Sequence, residues 1–250
     1  MPWRWSSVSI PSDELCSRPW LNWEAIMSSD LNETQVDPQK LSSALQRGKI
    51  FLIVGPRAIG KSTLVSHLSR KNRNLLPTQK ITTRPQRSSN NLSEIISVTE
   101  NEFEDFESSR RFFITRYVDN VKYGLTGESF SRENEYIKHI AITGLHETAR
   151  ALLDTNPKIP TIFLDLPENE IINRLISRNK IDKANPKSTF NQECDRIHSH
   201  MRACRELYGR VSQHGRAIIL NNTQDVTSHG YAKNIERCME FIDTHSTVFN

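Results

Sequence analysis

From residue 50 onward, short apolar runs alternate with longer stretches whose apolar residues recur at helical spacing. Runs that stay apolar without alternating suit parallel strands buried on both faces. Four fit: Phe51–Val54, Ile137–Thr143, Thr161–Leu166 and Ala217–Leu220. Between them, spacings of three and four predict helices over Lys61–Lys71, Leu145–Asp154, Glu168–Ser177, Phe190–Tyr208 and Ala232–Thr244. Strands separated by helices of this length imply right-handed crossovers, and so an α/β fold whose parallel sheet carries helices on both faces. Two stretches break the rhythm. Residues 84–125 hold short extended runs, Ile95–Val98 and Phe112–Val118, around one helix, which predicts a small antiparallel insert. Residues 179–189 are polar and Lys-rich, the composition of a mobile lid.

The first fifth of the chain follows neither period. All four tryptophans (Trp3, Trp5, Trp20, Trp23) lie there among prolines and serines. Such a segment is either an extension that packs its indoles onto the main domain or a docking segment for a protein partner. A short helix from about Pro38 to Gln46, closed by Gly48, leads into the first strand. The expected organisation is therefore an N-terminal Trp-rich extension over 1–48 and a single domain over 49–250, with the insert at 84–125 and the lid at 179–195.

Composition changes this picture little. A chain of 250 residues buries a sizeable core as one α/β domain. Its net charge of +4 is small and not clustered, which gives no reason to expect a nucleic-acid partner. No apolar run approaches membrane-spanning length, and Asp13 and Glu14 interrupt any leader, so a cytosolic protein without a membrane partner is expected. Cys16, Cys194, Cys204 and Cys238 show neither a C-x-x-C pair nor metal spacing, and read as reduced thiols.

The chemistry concentrates at one turn. Gly55-Pro56-Arg57-Ala58-Ile59-Gly60-Lys61-Ser62-Thr63 fits G-x-x-x-x-G-K-[ST], between a predicted strand and a predicted helix. A loop that wraps a triphosphate turns its N–H groups inward, and Gly55 and Gly60 permit angles and approaches that side chains block. Lys61 then supplies a charge to the β- and γ-phosphates, and the Ser62 hydroxyl a ligand to Mg²⁺. The cofactors expected are ATP and Mg²⁺. Downstream, Thr82-Thr83-Arg84-Pro85-Gln86-Arg87 presents two arginines for a second phosphate, stiffened by Pro85. Tyr123-Gly124 ends the insert with a phenolic hydroxyl beside a flexible glycine. Arg174 and Arg178 share one helix face, and Arg196 follows beyond the lid. Phosphoryl transfer is mostly positioning and charge neutralisation, which arginines on a closing lid provide. Asp165, the one carboxylate at a predicted strand end, is expected to cap the next helix. No D-x-x-G or N-K-x-D pattern supports a GTPase.

In this order (phosphate loop, T-T-R-P-x-R, insert ending in Y-G, R-L-x-x-R, lid, arginine on the next helix) the chain resembles the guanylate kinase family over residues 49–244. Within that family it is most similar to the branch that phosphorylates ribose 1,5-bisphosphate. The resemblance implies a P-loop, nucleoside-monophosphate-kinase-like fold with an acceptor-binding insert and a lid. It also implies that Arg84 and Arg87 hold the acceptor phosphate with help from Tyr123, that Arg178 and Arg196 bridge the two phosphates, and that Asn221 lines the donor-base pocket. Several residues depart from the family pattern. Glu94-Ile95-Ile96-Ser97 replaces a tyrosine-bearing segment, Leu125 replaces a serine, and Ile114 stands near a usual glutamate. Ala141-Ile142-Thr143-Gly144 replaces a strand end with two carboxylates, and Arg57, Ala58 and Ile59 replace smaller loop residues. A guanine site stripped of acceptors leaves base donors unpaired. A ribose 1,5-bisphosphate-like acceptor, with no base to read, fits better than GMP. The alternative is a catalytically degenerate domain kept as a nucleotide- or protein-binding module.

Overall fold

The computed structural model describes residues 34–47, 49–86, 95–118, 120–126, 139–179, 190–222 and 228–246. The Trp-rich segment, Arg87 and most of the expected lid lie outside the described residues.

The described chain begins with β1 (Thr34–Val36) and α1 (Pro38–Arg47), then β2 (Lys49–Val54) and α2 (Lys61–Lys71). Next come β3 (Leu75–Pro77), β4 (Lys80–Thr82), β5 (Ile95–Ser97) and α3 (Glu100–Ser108), followed by β6 (Phe112–Val118) and β7 (Val121–Thr126). The remainder runs β8 (His139–Gly144), α4 (His146–Thr155), β9 (Thr161–Asp165), α5 (Glu168–Asn179), α6 (Phe190–Ser212), β10 (Ala217–Asn221) and α7 (His229–Ser246).

One sheet is parallel, in the order β10-β9-β2-β8-β3. Its central strand is buried along Ile50–Val54, which explains the uninterrupted apolar run. Phe51 and Ile53 pack with Leu64, Val65 and Leu68 of α2 and Ile235 and Phe241 of α7. Ile50, Leu52 and Val54 face the other way, against Leu41 of α1, Leu152 of α4 and Leu207 of α6. After β2 the chain crosses to the edge strand β3 and comes back inward to β8, then passes to the other side of β2 for β9 and β10. The order reverses at β2, and a crevice opens at such a switch point beyond the carboxyl ends of the strands.

The second sheet is mixed, in the order β1-β6-β7-β4-β5, with β4 and β5 parallel and the other pairs antiparallel. Ile81, Phe103 and Phe112 form a small core under α3. Thr99 starts α3 with a capping box, its hydroxyl on the Glu102 N–H and the Glu102 carboxylate on the Thr99 N–H. Gly124 is not the flexible residue its type suggests. A Cβ there would stand 2.2 Å from the Phe112 ring, so glycine is required for close packing.

The sheet is broader than the 84–125 insert expected from sequence, because β4 and β1 join it. Both sheets belong to one compact unit, Asn32–Asn250. Asp37 explains part of this: its carboxylate accepts from the N–H groups of Gln39 and Lys40, capping α1, while its own N–H donates to the Phe113 carbonyl. The backbone bonds from Lys40 first, then the Lys40 ammonium, hold the Asp37 carboxyl below its ordinary range.

Candidate functional site

The turn after β2 sits at the switch point. Val54 pairs with Gly144 at the end of β8, so the 55–60 loop and the start of α4 leave the same edge on adjacent strands. Gly60 has φ 104°, and a Cβ there would meet Asn222 Nδ2 at 2.6 Å. Gly55 is needed for space, since its Cβ would stand 2.9 Å from Ile59 Cγ2. Ala58 occupies the left-handed region at φ 61°, which costs a residue with a Cβ about 1 kcal/mol. Ile59 is fully buried and roots the loop in the core.

Two side chains from distant elements hold the loop from behind. Asn222 Nδ2 donates to the Ile59 carbonyl at 2.7 Å, and Arg174 Nη1 donates to the same oxygen at 3.3 Å. Arg174 Nη2 also donates to the Asn222 carbonyl at 3.1 Å, closing a triangle between α5, the end of β10 and the loop. At the front, Lys61 Nζ donates to the carbonyls of Gly55 and Pro56, both at 2.7 Å. Gly60 is the residue before α2, and no side chain among the described residues caps that helix. Its first-turn N–H groups therefore lie outside the helical ladder and aim at the loop. Ser62 and Thr63 are exposed on that turn.

The second sheet contributes a polar row. Register places Thr34, Arg116, Tyr123, Thr82 and Ser97 directly across all five strands, hence on one face. Two cations on this face tie it to the carboxyl edge of the parallel sheet. Lys80 Nζ donates to the carbonyl and hydroxyl of Thr143, both at 2.6 Å. Arg116, 8% exposed, sets Nη2 3.0 Å from Glu147 Oε1 and donates through Nη1 to the Thr148 hydroxyl. Arg84 follows Thr82 and is half-buried, its N–H donating to the Thr82 hydroxyl.

Glu147 is where several elements meet. His146 Nδ1 lies 3.2 Å from its Oε2, and His200 Nε2 of α6 lies 3.6 Å from its Oε1. Burial raises the Glu147 carboxyl, but Arg116 and then the two histidines outweigh it and hold the group below its ordinary range. Burial pushes the His146 imidazole down. It pushes His200 down to about 4, with Glu147 opposing and His146, Arg116 and Arg57 assisting. Both rings are therefore neutral near pH 7.

Of the residues singled out from sequence, Gly55 through Thr63 come together as one loop and helix start, and in the second sheet Tyr123 lies across from Thr82, which Arg84 follows by two residues. Arg196 is exposed on α6, four residues before His200 and on the same helix face. Residue 178 lies in α5. Asn221 is exposed, its carbonyl accepting from Asn234, and its neighbour Asn222 is the one that reaches the loop. Asp165 does not cap α5; its carboxylate accepts from Arg205 Nη2 at 3.1 Å. Sequence reading passed over Asn222, Arg116, His146, Glu147 and His200. A signal existed only for Glu147, the first carboxylate after the predicted β8 strand. Cys204 and Cys238 are buried thiols, and burial pushes both up to about 12, so they are inert. No helix among the described residues is long and apolar enough to cross a membrane.

Neither a family model nor a curated protein matches the chain. Among solved structures, it is similar to the crystal structure of guanylate kinase from Anaplasma phagocytophilum, with a TM-score of 0.52 and 13% identity over 81% of this chain and 88% of that one. The chain thus has a guanylate kinase-like fold.

Proposed function

We propose that this chain is an ATP-dependent phosphotransferase that moves a γ-phosphoryl group to a small phosphorylated acceptor. The observation that carries this reading is the loop at the sheet's switch point. It has an ammonium across its opening and an uncapped helix behind it, and Asn222 and Arg174 hold it by the Ile59 carbonyl. That arrangement fits the terminal phosphates of ATP. Gly55 and Gly60 leave no room for a Cβ, which lets the turn pack closely on Ile59 and Asn222, and the helix dipole favours anions at its opening. Lys61 would exchange two carbonyl partners for phosphate oxygens. The Ser62 hydroxyl, exposed on the first turn, would hold Mg²⁺, which neutralises phosphate charge when bound.

On the acceptor side, Tyr123 stands in the middle of the polar row beside Thr82, Arg84 follows two residues after Thr82, and Arg87 follows Arg84 in sequence. These residues would grip and orient the acceptor's phosphate, and Arg178 and Arg196 would neutralise the charge that spreads over the transferred group. The face holds buried hydroxyls, Thr34 Oγ1 and Ser97 Oγ, and no free carboxylate among the described residues, because Glu147 is paired with Arg116. This favours a sugar phosphate such as ribose 1,5-bisphosphate over GMP, whose base needs acceptors. The reduced thiols suit a cytosolic setting.

The test is ADP release with Mg·ATP and a panel containing ribose 1,5-bisphosphate and GMP, run beside a thermal-shift titration with Mg·ATP. Turnover of a sugar phosphate, lost in Lys61→Ala, is the expected result. Nucleotide-induced stabilisation without turnover would select the degenerate binding module. No response to nucleotide in either assay would overturn the phosphotransferase reading and leave the protein-binding module.

A further inference from the structure

We propose that His146, Glu147 and His200 form a binding site for a transition-metal ion of the zinc class, separate from the Mg²⁺ role proposed for Ser62. The ligand atoms of these three residues all lie within 4.8 Å of one another. His146 and Glu147 open α4, directly after the end of β8, and His200 comes from α6, so the site clamps two helices beside the 55–60 loop. The centroids of the two imidazole rings stand 5.1 Å apart, with the planes tilted by 56°.

The spacing suits a metal better than it suits hydrogen bonds. Ligands about 2.0–2.1 Å from a tetrahedral centre stand about 3.3 Å apart. The separation from His146 Nδ1 to Glu147 Oε2 is 3.2 Å, and His200 Nε2 stands 3.6 Å from the other oxygen of the same carboxylate. His146 Nδ1 and Glu147 Oε2 are both buried, yet neither makes a hydrogen bond among the described residues, although they face each other. Two buried polar atoms held this close without a shared proton are costly, and a cation between them satisfies both.

The donor set indicates the metal class. Two imidazole nitrogens and one carboxylate suit Zn²⁺ and its neighbours, whereas Mg²⁺ and Ca²⁺ require oxygen ligands. Three protein ligands leave a fourth position for water or an anion, the pattern of an open zinc site. Arg116 serves as the outer support, holding Glu147 through Oε1 while Oε2 stays available to the ion. The loop and its phosphate-binding role do not enter this argument, so the site stands or falls independently of kinase activity.

The test uses the full chain, stripped with chelator and titrated with Zn²⁺ and with Co²⁺. One ion per chain is expected in the micromolar range or tighter, with Co²⁺ giving the visible absorption bands of four- or five-coordinate geometry. His146→Ala and His200→Ala should each weaken Zn²⁺ binding more than about 10-fold, and His200→Gln, closer in volume, should do the same if His200→Ala fails to fold. Absence of a stoichiometric ion, or a histidine variant that binds Zn²⁺ as the parent does, would overturn the proposal. The Mg·ATP thermal shift, measured without zinc, reports separately on the kinase reading.

Discussion

Arg116 on β6 and Glu147 on α4 meet at 3.0 Å, and this ion pair joins the second sheet to the carboxyl edge of the parallel sheet. Neither partner is well solvated, Arg116 being 8% exposed and Glu147 25%. Removing the cation leaves a carboxylate with little water to replace it. Arg116→Leu should therefore lower unfolding stability by about 2–3 kcal/mol, short of the full cost of a deeply buried pair. The double variant Arg116→Leu/Glu147→Leu should recover most of that loss. Denaturant midpoints measure both, and a single variant as stable as the parent would show that the pair carries no weight.

Gly60 and Asn222 are expected to be coupled. Gly60→Ala places a methyl 2.6 Å from Asn222 Nδ2 and forces a residue with a Cβ into φ 104°. The backbone strain alone costs about 1–2 kcal/mol, and the displaced Asn222 side chain adds the loss of its bond to Ile59. Gly60→Ala/Asn222→Ala should be more stable than the sum of the single changes, because the clash is counted in only one of them. Additive values within error would mean that Asn222 moves aside freely.

Lys61→Met should separate stability from nucleotide binding. Its two carbonyl bonds are partly solvated, so the loss in unfolding free energy should stay near 1 kcal/mol. The stabilisation by Mg·ATP, about 2.7 kcal/mol when nucleotide is 100-fold above Kd, should disappear. Thermal shift with and without nucleotide reads both quantities in one experiment.

The histidine pair gives stability a dependence on pH. His146 and His200 are held below their ordinary value in the folded chain, so the unfolded chain binds more protons below about pH 6.5. Stability should be full above that value and fall as pH drops toward about 4, where His200 titrates in the fold. The charged groups acting on the two rings are Glu147, Arg116, Arg57, Arg150 and Glu206; Glu147, itself held low, keeps its contribution until more acidic pH. A loss on the order of 2 kcal/mol is expected between pH 7 and pH 4.5, reduced by at least half in His200→Gln. A melting temperature flat across that interval would contradict the burial argument.

The parallel sheet was legible because each strand buried on both faces must be apolar throughout, and the 55–63 spacing marked its central turn. The three-residue strands β1, β3 and β4 were not. Leu75–Pro77 ends in a proline tolerated only because β3 is an edge strand, and Thr34–Val36 and Lys80–Thr82 are too short to show alternation. Gly124 reads as a flexible residue because nothing local reveals that Phe112 lies over it. The candidate site was legible where one segment supplies it, as at Gly55–Thr63. It was hidden where separate elements do: Glu147 meets a cation 31 positions before it and a histidine 53 positions after it. Asn222 reaches a carbonyl 163 positions away, a distance over which no spacing rule operates.

Among the described residues, strand β6, Phe112-Phe113-Ile114-Thr115-Arg116-Tyr117-Val118, is sheltered on one flank by Thr34–Val36 alone. Any trimming of the polypeptide that reaches Val36 would strip that flank and bare a seven-residue, aromatic-rich ribbon carrying a single charge. Such a ribbon pairs readily with its own kind, so shortened forms should clump while the intact chain stays dispersed.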